Sequence, residues 1–171
     1  MPRLPELERN DRNKDAYDYL QKTRGAVRGG FAVMLASPEV AQRMAHVGTY
    51  VRFESPLPAN IRELATTVVS AEMKNPAEYT VHAEQCKKLG VGEAALMSAL
   101  ECSPVSQASE DEKLAIAFAR ELARDHKLTD ATFDAAKKRL GEQGVCDLIA
   151  CVGYYAMLAV THVALDIRPR S

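Results

Sequence analysis

Residues 61–91 read IRELATTVVSAEMKNPAEYTVHAEQCKKLGV and carry the clearest structural signal in the chain. The first half repeats an apolar residue every three or four positions, the spacing that places side chains on one face of a helix. Gly90 then stands between two apolar residues, a pattern typical of the left-handed end of a helix. We therefore predict two consecutive helices, near residues 61–73 and 77–88, and expect them to pack antiparallel.

The rest of the chain shows the same preference for helices. Sustained alternation of apolar and polar residues is scarce, and no Asn-Gly or Asp-Gly hairpin turn occurs. Residues 25–33 contain three glycines and are expected to form a loop. Helix signals are a short segment at 15–22, a serine–proline–glutamate opening at 37–39, a short helix at 93–100, the capping box Ser109-x-x-Glu112, a helix from Thr129 that stops at Gly141, and a last helix from about residue 145 that ends before Pro169.

These signals predict an all-α fold, a single-domain helical bundle with the helices near 61–73 and 145–165 at its centre. A length of 171 residues suits one domain. We expect residues 1–24 to form an N-terminal extension with a short helix, and residues 25–171 to form the helical domain.

Composition and charge restrict the classes of function. With 47% apolar residues, 26% charged residues and a net charge of −1, the chain has an ordinary soluble composition and lacks the basic stripe that nucleic acid requires. Nucleic acid is therefore not an expected partner. The apolar stretch 145–165 contains Asp147, Gly153 and His162, so a buried core helix is expected rather than a membrane span. The N-terminus lacks the apolar core of a signal peptide, which makes the cytoplasm the expected location.

The four cysteines are Cys86, Cys102, Cys146 and Cys151. No two of them form a Cys-x-x-Cys pair, and none lies at zinc-finger spacing. In a reducing compartment they are expected to be small buried apolar residues rather than disulfide partners.

Chemistry-bearing residues concentrate on the second of the two predicted helices. Glu78, His82 and Cys86 are spaced four residues apart and so share one stripe of that helix. A carboxylate one turn from an imidazole can fix its tautomer and raise its basicity, as a general acid–base near neutral pH requires. Glu63, on the preceding helix, would face the same space in an antiparallel pair.

The same residues allow plainer interpretations. Glu78 and His82 could form a surface pair worth only about 0.2–0.5 kcal/mol to the helix. Asn60 stands three residues before Glu63, as in a capping box, and Cys86 could be an ordinary core residue. The residue pattern by itself leaves the catalytic and the structural interpretation open.

The chain carries the fragments RELA at 62–65, EYxxHAE at 78–84 and LGV at 89–91, flanked by YxRF at 50–53, GEQG at 141–144 and GYY at 153–155. These fragments are similar to the signature helix pair of the carboxymuconolactone decarboxylase family, which includes alkylhydroperoxidase D-like proteins. Together they cover roughly residues 30–165. The resemblance implies an all-α fold of the alkylhydroperoxidase D-like type, a homo-oligomer formed through helix packing, and a site lined by the signature helices.

The resemblance also separates two kinds of chemistry within the family. The redox branch carries Glu-x11-Cys-x-x-Cys-x-x-x-His, in which the glutamate and the histidine match Glu63 and His82. Asn75 and Glu78 occupy the two cysteine positions, so the dithiol peroxidase cycle is not expected. The decarboxylase branch instead resembles Glu-x-x-x-His, which Glu78 and His82 match.

The decarboxylase branch implies a cofactor-independent acid–base enzyme that acts on a small carboxylated or lactone substrate, without a metal or an organic cofactor. In this hypothesis His82 donates or carries the proton, Glu78 orients it, and Glu63 holds or relays a proton at the edge of the site. The expected substrate-binding residues are two cations for a carboxylate, Arg52 and Arg62, and Tyr79, with Tyr154 and Tyr155 as ring residues for which core packing is the alternative.

Three other functions remain open. A one-cysteine, alkylhydroperoxidase-like antioxidant protein would use Cys86, one turn from His82, as a thiolate. Glu63, Glu78 and His82 are acceptable metal ligands, although a second histidine is missing. The third is a non-catalytic oligomeric scaffold, because a family likeness indicates architecture better than activity.

Overall fold

A computed structural model describes residues 2–105 and 107–168, and the regular structure within them is helical. The all-α prediction is confirmed. In chain order the elements of the described residues are α1 (Lys14–Arg24), α2 (Gly30–Met34), α3 (Pro38–Thr49), a π-helical turn (Tyr50–Glu54), α4 (Ala59–Glu72), α5 (Pro76–Lys88), α6 (Glu93–Glu101), α7 (Glu110–Ala123) and α8 (Asp130–Leu165).

Most helix bounds follow the sequence signals, but one predicted loop is partly helical. Residues 25–33 are expected to be a loop, whereas Gly30–Met34 forms a short helix. A side chain at Gly30 would not fit, because its Cβ would lie 2.7 Å from Nε2 of His162. This glycine therefore serves close packing rather than loop formation. Ser37 precedes α3 as predicted, but its side chain makes no capping hydrogen bond.

The chain divides into two compact units. The first comprises the described residues up to Ser55 together with those from Val160 onward, and the second comprises Pro56–Ala159. The units divide after Ser55 and after Ala159. The expected boundary between an N-terminal extension, 1–24, and a helical domain, 25–171, stays a prediction. In the first unit α1 packs against α3. The buried residues of its core are Ala16, Leu20, Leu35, Ala41 and Ala45.

The second unit is built around α4, most of whose residues are buried. α5, α6 and α7 all pack against this helix, and Cys151 of α8 reaches it through a contact of 3.4 Å with the hydroxyl of Thr66. Four consecutive β-branched residues, 66–69, give α4 a poor intrinsic helix preference. Burial against its neighbours rather than propensity therefore maintains the helix.

α4 and α5 cross each other, which corrects the expected antiparallel packing. Glu63 contacts His82, and Thr67, one turn further along α4, contacts Cys86, one turn further along α5. In an antiparallel pair, residues after Glu63 would instead meet residues before His82. Parallel packing is excluded as well, because residues 73–75 join the helices and extended residues span at most ~3.6 Å each. The two helices therefore cross near these contacts.

α8 bends at Gly141, whose φ of 71° and ψ of 178° lie outside the helical region. The sequence predicts a helix stop at this glycine, and the stop takes the form of a kink. An 18-residue stretch within Asp130–Leu165 has a mean hydropathy of 1.8 and could cross a membrane by length and composition. In the structure 44% of that stretch is buried. Leu148 and Tyr155 are among the buried residues of α8.

A single carboxylate joins the start of α6 to the start of α7. Ser109 and Glu112 form the predicted capping box, in which the Ser109 N–H donates to Glu112 Oε2 at 2.7 Å. The other oxygen of Glu112 accepts the N–H of Gly92, at the start of α6, at 2.6 Å. Burial opposes ionisation of Glu112, but these backbone donors outweigh it and lower the pKa of the carboxyl group. We call this arrangement the Glu112 clamp.

We expect Glu112→Ala to lower the free energy of unfolding by about 1–3 kcal/mol, because the N–H groups of Gly92 and Ser109 lose a charged acceptor. Urea unfolding followed by circular dichroism measures the loss. Glu110→Ala is the matched control, since Glu110 lies in the same turn, is exposed and pairs with Lys113. An equal loss in both variants would contradict the clamp.

Candidate active site

The second unit brings two carboxylates and one imidazole together, and we call Glu63, Glu78 and His82 the histidine cluster. Glu63 comes from α4, whereas Glu78 and His82 come from α5. Pro76 opens α5, which places Glu78 in the first turn of the helix. The positive end of the helix dipole favours a carboxylate at that position. Local structure thus positions two members of the cluster, and the crossing of α4 supplies the third.

The shortest contact in the cluster joins His82 to Glu63. His82 Nδ1 lies 2.6 Å from Oε2 of Glu63, the length of a charge-assisted hydrogen bond. Oε1 of Glu63 accepts from Nε of Arg62 at 3.3 Å. Glu63 is therefore not the capping-box acid of α4, where Pro58 holds the N-cap position. Its carboxylate bonds to the imidazole of His82 and to the guanidinium of Arg62.

The second carboxylate faces the other side of the imidazole. Oε2 of Glu78 lies 3.5 Å from Nε2 of His82, a longer contact than that of Glu63. The Glu78 side chain is 21% exposed, against 7% for His82 and 11% for Glu63. A histidine buried to this degree does not fit the surface-pair interpretation. The geometry also reverses the expected order of the acids: Glu63 is the tight inner partner, and Glu78 is the outer one.

His82 and Glu63 each stabilise the charged form of the other. Burial disfavours the imidazolium, but the hydrogen bonds and charges of Glu63 and Glu78 outweigh it and raise the pKa of His82. Burial likewise disfavours the carboxylate of Glu63, but His82, with help from Arg62, outweighs it and lowers the pKa of that carboxyl group. The two acids therefore favour the protonated form of His82, and either of them can accept its proton.

An aromatic ring closes one side of the imidazole. The ring of Tyr155, on α8, lies 4.8 Å from that of His82 at an interplanar angle of 79°. Tyr154 makes a similar edge contact with Tyr155 at 5.0 Å. Both tyrosines are buried, so Tyr155 packs in the core and contacts the site at the same time. No spacing argument connects Tyr155 to His82, and the GYY fragment at 153–155 is the one signal in the sequence that indicates it.

The expected substrate-binding residues differ in where they lie. Arg62 joins the cluster through its bond to Glu63, and its side chain is 17% exposed. Tyr79 is half-buried on α5, beside Glu78 in the sequence. Arg52 is exposed and belongs to the first unit, where its guanidinium lies 4.8 Å from the centre of the Phe53 ring. The structure thus brings Arg62 into contact with the cluster.

The cysteines give little support to thiolate chemistry. Burial raises the pKa of Cys86 to about 11 and that of Cys151 to about 12. Cys86 Sγ lies 3.6 Å from the hydroxyl of Thr67, inside the core of the second unit. At neutral pH such thiols remain protonated and are poor nucleophiles. The expectation that all four cysteines are buried is wrong for Cys146, which is exposed, and for Cys102, which is partly exposed.

The metal hypothesis for Glu63, Glu78 and His82 depends on whether their ligand atoms meet at one point. Both ring nitrogens of His82 face carboxylate oxygens, so the three side chains bind each other. Among the described residues, no group of three or more His, Cys, Asp or Glu side chains is arranged to hold a metal ion.

Comparison with known proteins agrees with this architecture. The carboxymuconolactone decarboxylase family matches residues 38–121, a range that contains α4, α5 and the whole histidine cluster. A comparison with curated proteins finds no match.

Solved structures share the fold at low sequence identity. A cysteine-to-alanine variant of the debrominase Bmp8, in complex with 2,3,4-tribromopyrrole, has a TM-score of 0.77 and 16% identity, covering 99% of this chain and 92% of that one. A peroxidase-related protein from Ralstonia eutropha JMP134 with an alkylhydroperoxidase AhpD core has a TM-score of 0.71 and 14% identity, covering 99% and 93%. A protein of unknown function from Agrobacterium tumefaciens, considered a candidate AhpD antioxidant defence protein, has a TM-score of 0.69 and 14% identity, covering 84% and 99%.

The pair of His82 and Glu63 predicts a defined pH dependence of stability. The contribution of the imidazolium is fully present below its ordinary pKa of 6.5 and is lost as pH rises through the raised pKa of His82. The contribution of the carboxylate is present above its ordinary pKa of 4.5 and is lost as pH falls through the lowered pKa of Glu63. The difference in unfolding free energy between wild type and Glu63→Gln should therefore be largest between pH 4.5 and 6.5.

Urea unfolding at several pH values measures this difference, and NMR titration of the imidazole measures the pKa of His82 directly. Glu84→Gln is the matched control, because Glu84 lies on the same helix but is exposed and pairs with Lys87. A pKa of His82 at or below 6.5 in the wild type would contradict the stabilisation of the imidazolium by Glu63 and Glu78.

Proposed function

The chain belongs to the carboxymuconolactone decarboxylase family, and we propose that it is a cofactor-independent acid–base enzyme that moves a proton on a small lactone or carboxylated substrate. The observation that carries the proposal is the buried imidazole of His82 with a carboxylate at each ring nitrogen. Polar groups of this kind are costly to bury unless they are paired, and perturbed pairs of this kind concentrate at functional sites.

In the proposed mechanism Glu63 holds the imidazole. The bond of 2.6 Å to Nδ1 keeps a proton on that nitrogen and directs Nε2 toward Glu78. Tyr155 packs against the ring, so rotation of the imidazole is restricted. Glu63 is thus a positioning residue, a role that the sequence alone suggests for Glu78.

Proton transfer to the substrate takes place at the outer end of the cluster. Glu78 is the most exposed of the three side chains, so its carboxyl group is the one that exchanges a proton with the substrate. His82 Nε2 lies 3.5 Å from Oε2 of Glu78. It then donates a proton to the carboxylate of Glu78, or accepts one from its carboxyl group. In an unsaturated lactone, loss of a proton or of carbon dioxide leaves negative charge on the conjugated carbonyl group. The imidazolium of His82 would stabilise that charge, and the cluster would return a proton to carbon.

Two further features support a small planar substrate in place of peroxide. The debrominase Bmp8, which has the same fold, is solved with 2,3,4-tribromopyrrole, a small flat ring. A peroxidase that used Cys86 would need an accessible thiolate, whereas burial raises the pKa of this thiol to about 11.

We place the reaction in the cytoplasm, where the four cysteines, all free in the structure, would stay reduced.

We expect His82→Gln to reduce turnover by about 10²–10⁴-fold, because glutamine retains hydrogen bonding but carries no proton near neutral pH. Deuterium exchange into an unsaturated lactone, followed by NMR, measures the rate, and the melting temperature is recorded on the same samples. Glu84→Gln, exposed on the same helix, should retain the wild-type rate.

Two outcomes of this experiment would count against the proposal. Normal exchange in a normally folded His82→Gln variant would favour the non-catalytic scaffold. Early melting with an unchanged rate per folded molecule would assign His82 to the core.

We also propose that the protein forms a homo-oligomer through α8. Ile149, Gly153 and Met157 follow each other at four-residue intervals on one face of this helix, and all three are exposed. A Cβ at Gly153 would meet nothing within 4 Å, so this face is open. Val160 and Val163, in the first unit, are exposed as well. Exposed apolar side chains in a row on one helix usually mark an interface.

Light scattering tests the oligomer directly. We expect the wild type to give a particle larger than the 18.8 kDa chain, and Ile149→Lys to shift it toward the monomer, because a charge would be buried at the contact. Phe133→Lys, on the exposed first segment of α8, is the control and should leave the assembly unchanged. A wild type of 18.8 kDa at working concentration would exclude the oligomer.

A further inference from the structure

We infer that Arg62 is a positioning residue that acts through Glu63: it binds one oxygen of that carboxylate and thereby makes the proton of His82 easier to release. The inference rests on the proposed function and adds the residue that adjusts the pH at which its proton carrier works. Oε1 of Glu63 accepts from Nε of Arg62 at 3.3 Å, and Oε2 lies 2.6 Å from Nδ1 of His82. One carboxylate is therefore shared between a permanent cation and a cation that can lose its proton.

The contact between Arg62 and Glu63 is unusual for neighbours on a helix. Adjacent residues of an α-helix project in different directions and do not face each other. A long cationic side chain ordinarily keeps its charged end in water. Here the side chain of Arg62 turns back to its neighbour and is 17% exposed, beside a carboxylate that is 11% exposed. A charge buried to this degree acts on its surroundings with little screening by salt.

The direction of the effect follows from the charge of the pair before and after His82 releases its proton. With the proton, Glu63 and His82 together are neutral; without it, they carry one negative charge. This holds whether the proton lies on the imidazole or on the carboxyl group. The guanidinium of Arg62 stays charged throughout, so it stabilises the deprotonated pair. Glu63 and Glu78 raise the pKa of His82, and Arg62 opposes that rise through the carboxylate that it shares.

Other titratable groups around the imidazole do not supply this positive charge. Those that α5, α6 and α8 contribute, besides Glu78, are Cys86, Glu93, Glu101, Cys151 and Tyr155. Burial raises the pKa of the two thiols to about 11 and about 12, so both stay neutral where His82 titrates. The two glutamates are exposed at the ends of α6, and Tyr155 makes an aromatic edge contact with the imidazole. Removal of the guanidinium should therefore be visible in the titration of His82.

Two substitutions separate the charge of Arg62 from its hydrogen bond. Arg62→Lys keeps the positive charge, whereas Arg62→Gln keeps an N–H donor and removes the charge. NMR titration of the imidazole compares both variants with the wild type. We expect Arg62→Gln to raise the pKa of His82 by about half a unit or more, and Arg62→Lys to leave it near the wild-type value.

Two further variants complete the titration. Lys87→Met is the matched control, because it removes a cation from α5 that is exposed and pairs with Glu84. It should leave the pKa of His82 unchanged. Arg62→Met, which removes the charge and fills the same space, takes the place of Arg62→Gln if that variant does not fold.

The pH profile of turnover connects the titration to the reaction. kcat/KM for deuterium exchange into an unsaturated lactone follows the ionisation of His82 in the free enzyme. In Arg62→Gln the inflection due to His82 should move upward by the same amount as the pKa measured by NMR. In Arg62→Lys and Lys87→Met it should stay in place. A residue with a structural role alone would lower the melting temperature without moving the inflection.

The outcomes separate the inference from the proposed function. An unchanged or lowered pKa of His82 in folded Arg62→Gln overturns the inference and leaves the acid–base function standing. A raised KM with an unchanged pKa does the same and assigns Arg62 to substrate binding. An equal rise in Arg62→Lys and Arg62→Gln overturns the role of the charge. A wild type that exchanges no deuterium at any pH overturns the proposed function, and the role of Arg62 in it falls as well.

Discussion

The hydrogen bond of 2.6 Å between Glu63 and His82 is the contact on which the site and the packing around it depend. It joins α4 to α5 at the point where the two helices cross, one turn before the contact of Thr67 with Cys86. Both partners are largely removed from water, and each would be costly to bury as an ion without the other. The pair therefore restricts how α5 can sit on α4. It also holds the imidazole in the orientation from which the rest of the site follows.

The two carboxylates beside the imidazole differ in their distance from the ring and in their exposure. Glu63 is close, buried and shared with Arg62, whereas Glu78 is farther from the ring and more exposed. A proton carried by His82 can therefore be delivered outward through Glu78 while Glu63 holds the ring in place. In the redox branch that the sequence resembles, a cysteine occupies the position of Glu78. Replacement of a thiol by a carboxylate at the outer end exchanges a group suited to electron transfer for one suited to proton transfer.

Local signals predicted the helices well and their arrangement poorly. The capping box of Ser109 and Glu112, the proline that opens α3 and the glycine at 141 all lie where the sequence indicates. Each depends on hydrogen bonds or backbone angles within a few residues, which the sequence specifies directly. The crossing of α4 and α5 depends on contacts between residues far apart in the chain. The close approach of His162 to Gly30, at the start of the helix Gly30–Met34, likewise joins residues far apart in the chain.

For the candidate site, the sequence by itself determined the residue types and one pairing. Glu78 and His82 are one turn apart on any helix that contains both, and the family resemblance adds Glu63. Only the tertiary structure decided which acid is the inner partner, that Arg62 contacts the cluster, and that Tyr155 packs on the imidazole. Helical periodicity states which residues share a face, but it does not state how deeply that face is buried or what lies against it. Burial and the identity of the facing side chains are properties of packed helices, and they determine both the charge of an imidazole and the side from which a substrate can reach it.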